Sequence, residues 1–456
     1  MLTKQSWMKC ADDIMFEVLQ CKDEGKNTDG LHDEASAIKA MPGDSPEREE
    51  KGRAFFIKTG NLPISDSYGY TEPDGLDEIL ANSYQVRNGK NSNSYLVRNE
   101  KSSSLYEKIL GGWLGRSAGC LLGQPVECWR KDRLVGLLKE TGNYPVNYYI
   151  SSDISPELRT KYGITDSGHV YGSDKINWIN NVEYMPEDDD TNYTIIALKI
   201  VETYGRGFTA DDVAECWLAN LPILHTCTAE RVAYRNLCNL MMPPQSAMYC
   251  NPYREWIGAQ IRADLFGYIN PGDPKTAAIM AYKDASISHV KNGIYGEMFV
   301  AAMIAAAFAE SYPAAIVRIG MDFIPHTSRL YKYIQDVLDK KKDGMTVEQM
   351  IRYIHGQFDE NNPHDWCHTI SNAMIVVSGL LYGEGDFEKS IGIAVEAAFD
   401  TDCNGATVGS IIGVASGAGK LPEKWISPLH NKIKSGVDGF GLVNISDLAQ
   451  RTLRCI

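Results

Sequence analysis

The sequence predicts an all-α protein. From residue 104 onward, apolar residues recur in long runs at helical spacing, with little of the period-two alternation that marks strands. Gly- and Pro-rich connections separate these runs, as expected between helices. The chain has 456 residues and 44% hydrophobic content, enough for one large or two ordinary domains with substantial buried cores.

Residues 1–100 differ in texture from the rest, being charged and punctuated by Gly, Asn, Ser and Asp, as at Lys51-Gly52-Arg53 and Asn91-Ser92-Asn93-Ser94. They read as a separate helical extension of unknown role, which covers a cleft, mediates oligomerisation or caps an apolar helix face. Within it, Met8, Ile14, Met15, Val18 and Leu19 form a rough apolar stripe that predicts a helix over 6–22. Residues 101–456 form the main domain. Its expected helices cover 105–122, 192–204, 210–221, 228–240, 274–288, 293–309, 328–341, 347–357, 369–382 and 387–399. A final Gly/Ala helix is expected over 406–419. Ala301, Ala302, Ala305, Ala306 and Ala307 suit close helix packing. No fixed-period repeat emerges.

A net charge of -14, with no Lys/Arg-rich stripe to offset it, argues against nucleic acid or an anionic membrane as the main partner. The eleven cysteines are scattered, with no CxxC pair, so reduced thiols in a cytoplasmic setting are the simplest expectation. The N-terminus carries acids at Asp12, Asp13 and Glu17 and has no signal-peptide pattern. The most apolar windows, 298–309 and 407–418, are too short to span a bilayer.

Two acid clusters carry the functional reading. Glu187-Asp188-Asp189-Asp190-Thr191 and Asp400-Thr401-Asp402-Cys403-Asn404 each precede an apolar helical run. Carboxylates this close repel one another unless a cation sits among them, and hard oxygen donors favour magnesium, manganese or calcium over zinc. The plain alternative is a pair of acidic helix starts, where Asp caps free N–H groups. Gly409, Gly413 and Gly417 recur every four residues, clearing one helix face for close backbone contact that would hold Asp400 and Asp402 rigidly. A third element, residues 111–127, places Gly115, Ala118 and Gly119 on a small-residue helix. It stops at Gly123 and Pro125 and leaves Glu127 on a loop.

These three ordered motifs together resemble the ADP-ribosylglycohydrolase family, over roughly residues 104–419. The shared features are a Gly-rich first helix ending in Pro125-Val126-Glu127, an Asp-Asp-Thr signature, and a late Asp-Thr-Asp before a Gly/Ala helix. The resemblance implies an orthogonal helical bundle with two Mg2+ or Mn2+ ions at the mouth of an ADP-ribose cleft. It also implies metal ligation by Asp188, Asp189, Asp190, Asp400 and Asp402, with Asp188 replacing a hydroxyl residue. Cys403 stands where a threonine ligand is more common, which implies a rearranged shell. Glu127 matches the family's loop glutamate, giving an expected catalytic set of Glu127, Asp189 and Asp402.

Two further segments resemble ligand-binding loops of the family. One contains Gly258, Ala259 and Arg262, where backbone N–H groups near Gly258 could meet a diphosphate. Its plain alternative is a helix start with Arg262 paired to Asp264. The other contains His289, Gly293, Tyr295 and Gly296, with His289 positioned to bond ribose or phosphate. His364 and His368 have metal-like i, i+4 spacing but no evident third ligand, while Trp366 and His368 are candidates to line the cleft.

The expected activity is hydrolysis of the glycosidic bond of an ADP-ribosyl group on a protein or small molecule. Alternatives are a dinuclear-metal hydrolase of a nucleoside or other ribosylated small molecule, and a non-catalytic ADP-ribose-binding or crystallin-like structural protein.

Overall fold

A computed structural model describes residues 5–83, 102–170 and 173–456. Helices dominate. The strands among the described residues are two short antiparallel pairs, Ser167–Val170 with Ser173–Lys175 and Lys432–Lys434 with Leu442–Asn444. The helices that position the site are α1 (Ile14–Asp23), α2 (Leu31–Lys39), α3 (Pro46–Gly60), α4 (Ser102–Gly123), α5 (Asp189–Tyr204), α6 (Thr228–Cys238), α7 (Pro274–Ala285), α8 (Lys291–Ala307), α9 (Thr369–Gly383), α10 (Phe387–Glu396) and α11 (Thr401–Ser416). No helix among the described residues is long and apolar enough to cross a membrane.

The central contact is between α4 and α11. A Cβ at Gly111, Gly115, Gly119 or Gly123 would overlap backbone at Gly413, Gly409, Gly405 or Thr401 respectively. That reversed order makes the two helices antiparallel, and only glycine lets their backbones approach this closely. The register differs by one turn from the sequence expectation. Gly405, Gly409 and Gly413 form the contact, whereas Gly417 has φ 80° and caps the helix end. The helix itself starts at Thr401, ahead of the expected 406. One consequence is functional: Gly123, which leads into the Glu127 loop, lies against the first turn of α11. Helix α8 runs through the interior, with Ala301 to Ala307 buried on every side.

The N-terminal extension has its own small core, in which Ile14, Cys21, Leu31, Ala35 and Phe55 pack with Cys250 of the main domain. Helix α1 begins at Ile14 rather than residue 6, and Trp7 has φ 64°, which a right-handed helix excludes. Gly52, read from sequence as punctuation, lies inside α3, where its missing side chain admits Ala11. Buried ion pairs fasten the extension down. Arg254 donates to Glu17 Oε2 at 2.6 Å and Glu24 Oε1 at 2.8 Å. Arg329 donates to Glu72 Oε2 at 2.9 Å and Glu255 Oε2 at 2.6 Å. The expected boundary at residue 100 and the Asn91–Ser94 punctuation lie outside the described residues.

Candidate active site

Both acid clusters sit at helix starts that converge. Asp188 is the N-cap of α5, its Oδ1 accepting from the Asp190 N–H at 3.0 Å, and Asp189 and Asp190 occupy the first turn. Asp400 is the N-cap of α11, with Asp402 in its first turn. Ligand atoms of Glu127, Asp400 and Asp402 lie within 4.8 Å of one another, as do those of Asp190, Asp402 and Cys403 and those of Cys120, Asp188 and Asp190. Asp188, Asp190, Asp400 and Asp402 are buried, whereas Asp189 is partly exposed and Glu127 exposed.

Burial and mutual repulsion set the electrostatics. Burial pushes Asp188 up to about 7, with Asp402 adding to the effect. Asp402 itself is raised to about 6, again mainly by burial. Asp400 and Asp190 stand well above the usual carboxylate range for the same reason, and Glu127 is raised first by the Asp402 charge. Part of the charge is met from behind. Arg116, fully buried on α4, donates to Asp190 Oδ1 at 3.2 Å, to the Asp190 carbonyl at 2.7 Å and to Asp264 Oδ2 at 2.8 Å. Gln124 Nε2 donates to Asp188 Oδ2 at 2.7 Å, and the Cys403 thiol donates to Asp190 Oδ2 at 3.1 Å. Asp402 Oδ1 is buried with no hydrogen-bond partner.

The clusters open into a cavity of about 410 Å³. Glu127, Asp189, Asp400, Asp402 and Cys403 line its acidic end. Trp7, Phe16, Tyr253, Trp256, Ile257 and Trp366 make much of the remaining wall, together with Glu230 and Arg130. Left-handed backbone gathers here at residues that adopt it reluctantly: Trp7, Cys128 and Thr228 line the cavity, and Ala398 (φ 63°) and Phe399 (φ 59°) precede Asp400. Such strain persists only where surrounding contacts impose it, and it is common at ligand clamps.

A profile of the ADP-ribosylglycohydrolase family matches residues 101–454. The chain belongs to the ADP-ribosylglycohydrolase family. No curated protein matches the sequence. A solved structure described as an ADP-ribosylglycohydrolase-related protein complex is similar, with 17% identity, a TM-score of 0.48, and coverage of 77% of this chain and 98% of that one.

Within this family member, the sequence-derived ligand loops fall in two groups. Gly258 lines the cavity, but the space a side chain would take there is filled by the Glu230 carboxylate, so an acid stands where an open diphosphate cradle was expected. Ala259 is fully buried behind it. Arg262 is also interior: it donates to Asp284 Oδ1 at 2.7 Å and Glu230 Oε1 at 3.0 Å, while Asp264 takes Arg116 instead. His289 is buried, its Nδ1 bonded to Ser288 Oγ at 2.8 Å. Gly293 packs on the Arg254 carbonyl and His289, and Gly296 on Thr369 and Gln260. The Tyr295 hydroxyl donates to the Pro73 carbonyl. None of Arg262, His289, Gly293, Tyr295 or Gly296 is among the described residues lining the cavity.

Asp23 supplies the third member of a group with His364 and His368. The hydrogen bonds oppose a metal there. Trp256 Nε1–H donates to His364 Nδ1 at 3.1 Å, and the Ile370 N–H donates to His368 Nδ1 at 3.1 Å. Each Nδ1 is therefore an acceptor and each Nε2 carries the ring proton, directed at Asp23 Oδ2 from 2.8 Å and 3.7 Å. The group clasps α1 to the segment bearing Trp366, which lines the cavity; His368 does not. Sequence reading also missed Cys120, Arg116, Glu230, Trp7 and Phe16. Arg116 alone carried a signal, as the single charge in the apolar, small-residue run 109–123.

Proposed function

We propose that the protein is a divalent-metal-dependent hydrolase of the glycosidic bond of ADP-ribosyl groups, acting at the acidic end of the cavity. The observation that carries this reading is that Glu127, Asp189, Asp400 and Asp402 line one cavity, with Asp190 grouped against Asp402 and Asp188 against Asp190 behind them, in a member of this family. The residues fit a pair of hard cations: buried carboxylates held above their ordinary range, and Asp402 Oδ1 without a partner, are relieved together by positive charge. Asp400, Asp402 and the Asp188–Asp190 cluster would hold Mg2+ or Mn2+. When bound, such ions supply polarisation of a water and charge stabilisation near the ribose hydroxyls.

The chain's own groups divide the remaining work. Glu127 and Asp189 line the cavity, and in this reading they take or give the proton at the scissile bond. Asp190 is also tied to Arg116 and Cys403, and those bonds would hold the cluster's geometry. Carboxylates facing the anomeric carbon favour the positive charge that develops on the ribose during cleavage.

A second reading, hydrolysis of a compact ribosylated molecule such as a nucleoside, is favoured by the cavity wall. Arg130 is the one basic residue among its described lining, so a diphosphate finds little cationic support there. The test is turnover of ADP-ribosyl-arginine, ADP-ribosyl-serine and nucleosides with magnesium or manganese, for the wild type and Asp400→Asn/Asp402→Asn. Metal-dependent ADP-ribosyl release that the double variant abolishes supports the first reading. Release undiminished in that variant refutes it, and turnover of nucleosides alone selects the second.

A further inference from the structure

The family match begins at residue 101, yet Trp7 and Phe16 line the same cavity as Asp189, Asp400 and Asp402. We propose that the N-terminal extension is part of the substrate site: Trp7 and Phe16 complete an aromatic wall that receives an uncharged planar nitrogenous ring of the ribosylated substrate. This rests on the glycosidic-hydrolase reading for the position of the ribose, and it assigns to the extension the selection among ribosylated molecules.

The wall is continuous across the two parts of the chain. Phe16 meets Trp256 edge-on at 5.4 Å between ring centroids and Tyr253 at 5.8 Å, and Tyr253 meets Trp256 at 4.7 Å. In an edge-to-face contact one face of one ring is covered and the other faces of the pair stay clear of it. The Arg231 guanidinium lies over the Trp7 ring at 4.7 Å. Trp7 is held at φ 64°, a conformation that a bulky residue keeps only when its surroundings impose it.

Rigid attachment supports a positioning role. Phe16 is next to Glu17, whose carboxylate takes Arg254 in a buried pair, and that arginine leads directly through Glu255 into Trp256. At the far end of the same helix, Asp23 grips His364, whose Nδ1 accepts from the Trp256 indole. Phe16 and the aromatic residues of the main domain are thus fixed to one another through two separate polar clasps on α1. Trp7, Phe16, Tyr253, Trp256 and Trp366 offer stacking surface in a cavity whose described lining has one basic side chain, and this suits a neutral heteroaromatic ring.

The experiment uses the full-length, magnesium-loaded protein and measures equilibrium binding by calorimetry, with adenosine as the ring-bearing probe and methyl β-ribofuranoside as the ringless one. Trp7→Ala and Phe16→Ala are each expected to weaken adenosine by about tenfold, the loss typical of one stacking partner, while barely changing the riboside. Trp7→Phe, which keeps a ring, is expected to recover most of the loss. Thermal melting identifies any variant that has lost its fold, in which case the other position decides. Equal adenosine affinity in wild type and both alanine variants overturns the proposal, as does parallel loss of both probes in a folded variant. Absence of glycosidic turnover alone counts against the hydrolase reading and leaves the binding comparison intact.

Discussion

Gly119 and Gly405 meet backbone to backbone: a Cβ on Gly119 would overlap the Gly405 carbonyl oxygen, and one on Gly405 would overlap the Gly119 carbonyl oxygen. Neither neighbour is a flexible side chain that can turn away. The contact lies one helical turn from Asp402, so helix spacing and the placement of the acid cluster are one problem.

Gly405→Ala is therefore expected to destabilise the protein by about 1–3 kcal/mol or more through overpacking, and to weaken divalent-cation binding with it. Gly356 supplies the contrast. It lies in the helix Val347–Gln357 with open space around its Cα, so Gly356→Ala is expected to be neutral or stabilising by up to about 1 kcal/mol. Chemical denaturation of both variants, with magnesium titration by calorimetry, measures the difference in sign.

Removal of divalent cations should invert part of the pH dependence of stability. Asp188 and Asp402 are raised from an ordinary 3.8 to about 7 and about 6 in the folded chain. Because folding favours their protonated forms, this stability is fully present below about pH 4 and is lost as pH rises through 6 and 7. In excess chelator the melting temperature is expected to fall between pH 5 and pH 8. Saturating magnesium should oppose that fall, since it binds the deprotonated carboxylates of the folded state. Melting curves at both pH values, with chelator and with magnesium, check the prediction, and an identical pH dependence in the two conditions contradicts it.

Cys403 gives the cluster a donor unlike its neighbours. Its thiol faces Asp190 Oδ2 at 3.1 Å, and sulfur favours softer ions than carboxylate oxygen does. Cys403→Ser keeps a small donor while removing the sulfur. The variant is expected to shift relative affinity from manganese toward magnesium and to lose affinity for cadmium most. Competition titrations with the three ions read the order directly.

The helices of the main domain were legible because apolar periodicity is local: the helix expected over 347–357 is found at Val347–Gln357, and that over 369–382 at Thr369–Gly383. The two acid clusters were legible for a related reason, since caps and first-turn acids are written next to the helices they start. Arg262 and His289 were harder. Whether an arginine faces a ligand or an interior acid depends on what lies opposite, and here Asp284 and Glu230 come from two other helices, α7 and α6. Trp7 could not have been placed from its neighbours in sequence, because the wall it joins is built around Trp256 and Trp366. The one-turn shift in the glycine register has the same origin: Gly417 is spaced like its predecessors, and only its left-handed φ removes it from the helix.

Arg254 tests how firmly the extension is held. Arg254 is 7% exposed and takes both Glu17 and Glu24, each nearly inaccessible, so its removal leaves two carboxylates buried without their shared cation, with Glu24 keeping Lys26 at 2.7 Å. Breaking such a pair on one side typically costs about 3–5 kcal/mol, whereas replacing all the charges by groups of similar shape costs far less. Arg254→Met is accordingly expected to loosen residues 5–83 and expose them to limited proteolysis. The triple variant Arg254→Met/Glu17→Gln/Glu24→Gln should regain much of that protection, because neither carboxylate is left buried and charged, and Lys26, which loses Glu24, is partly exposed. Hydrogen exchange on α1 and α3 supplies the quantitative readout. If the triple variant exchanges as fast as the single one, the clasp acts through specific charge pairing; if protection returns, the unpaired carboxylates were the cause.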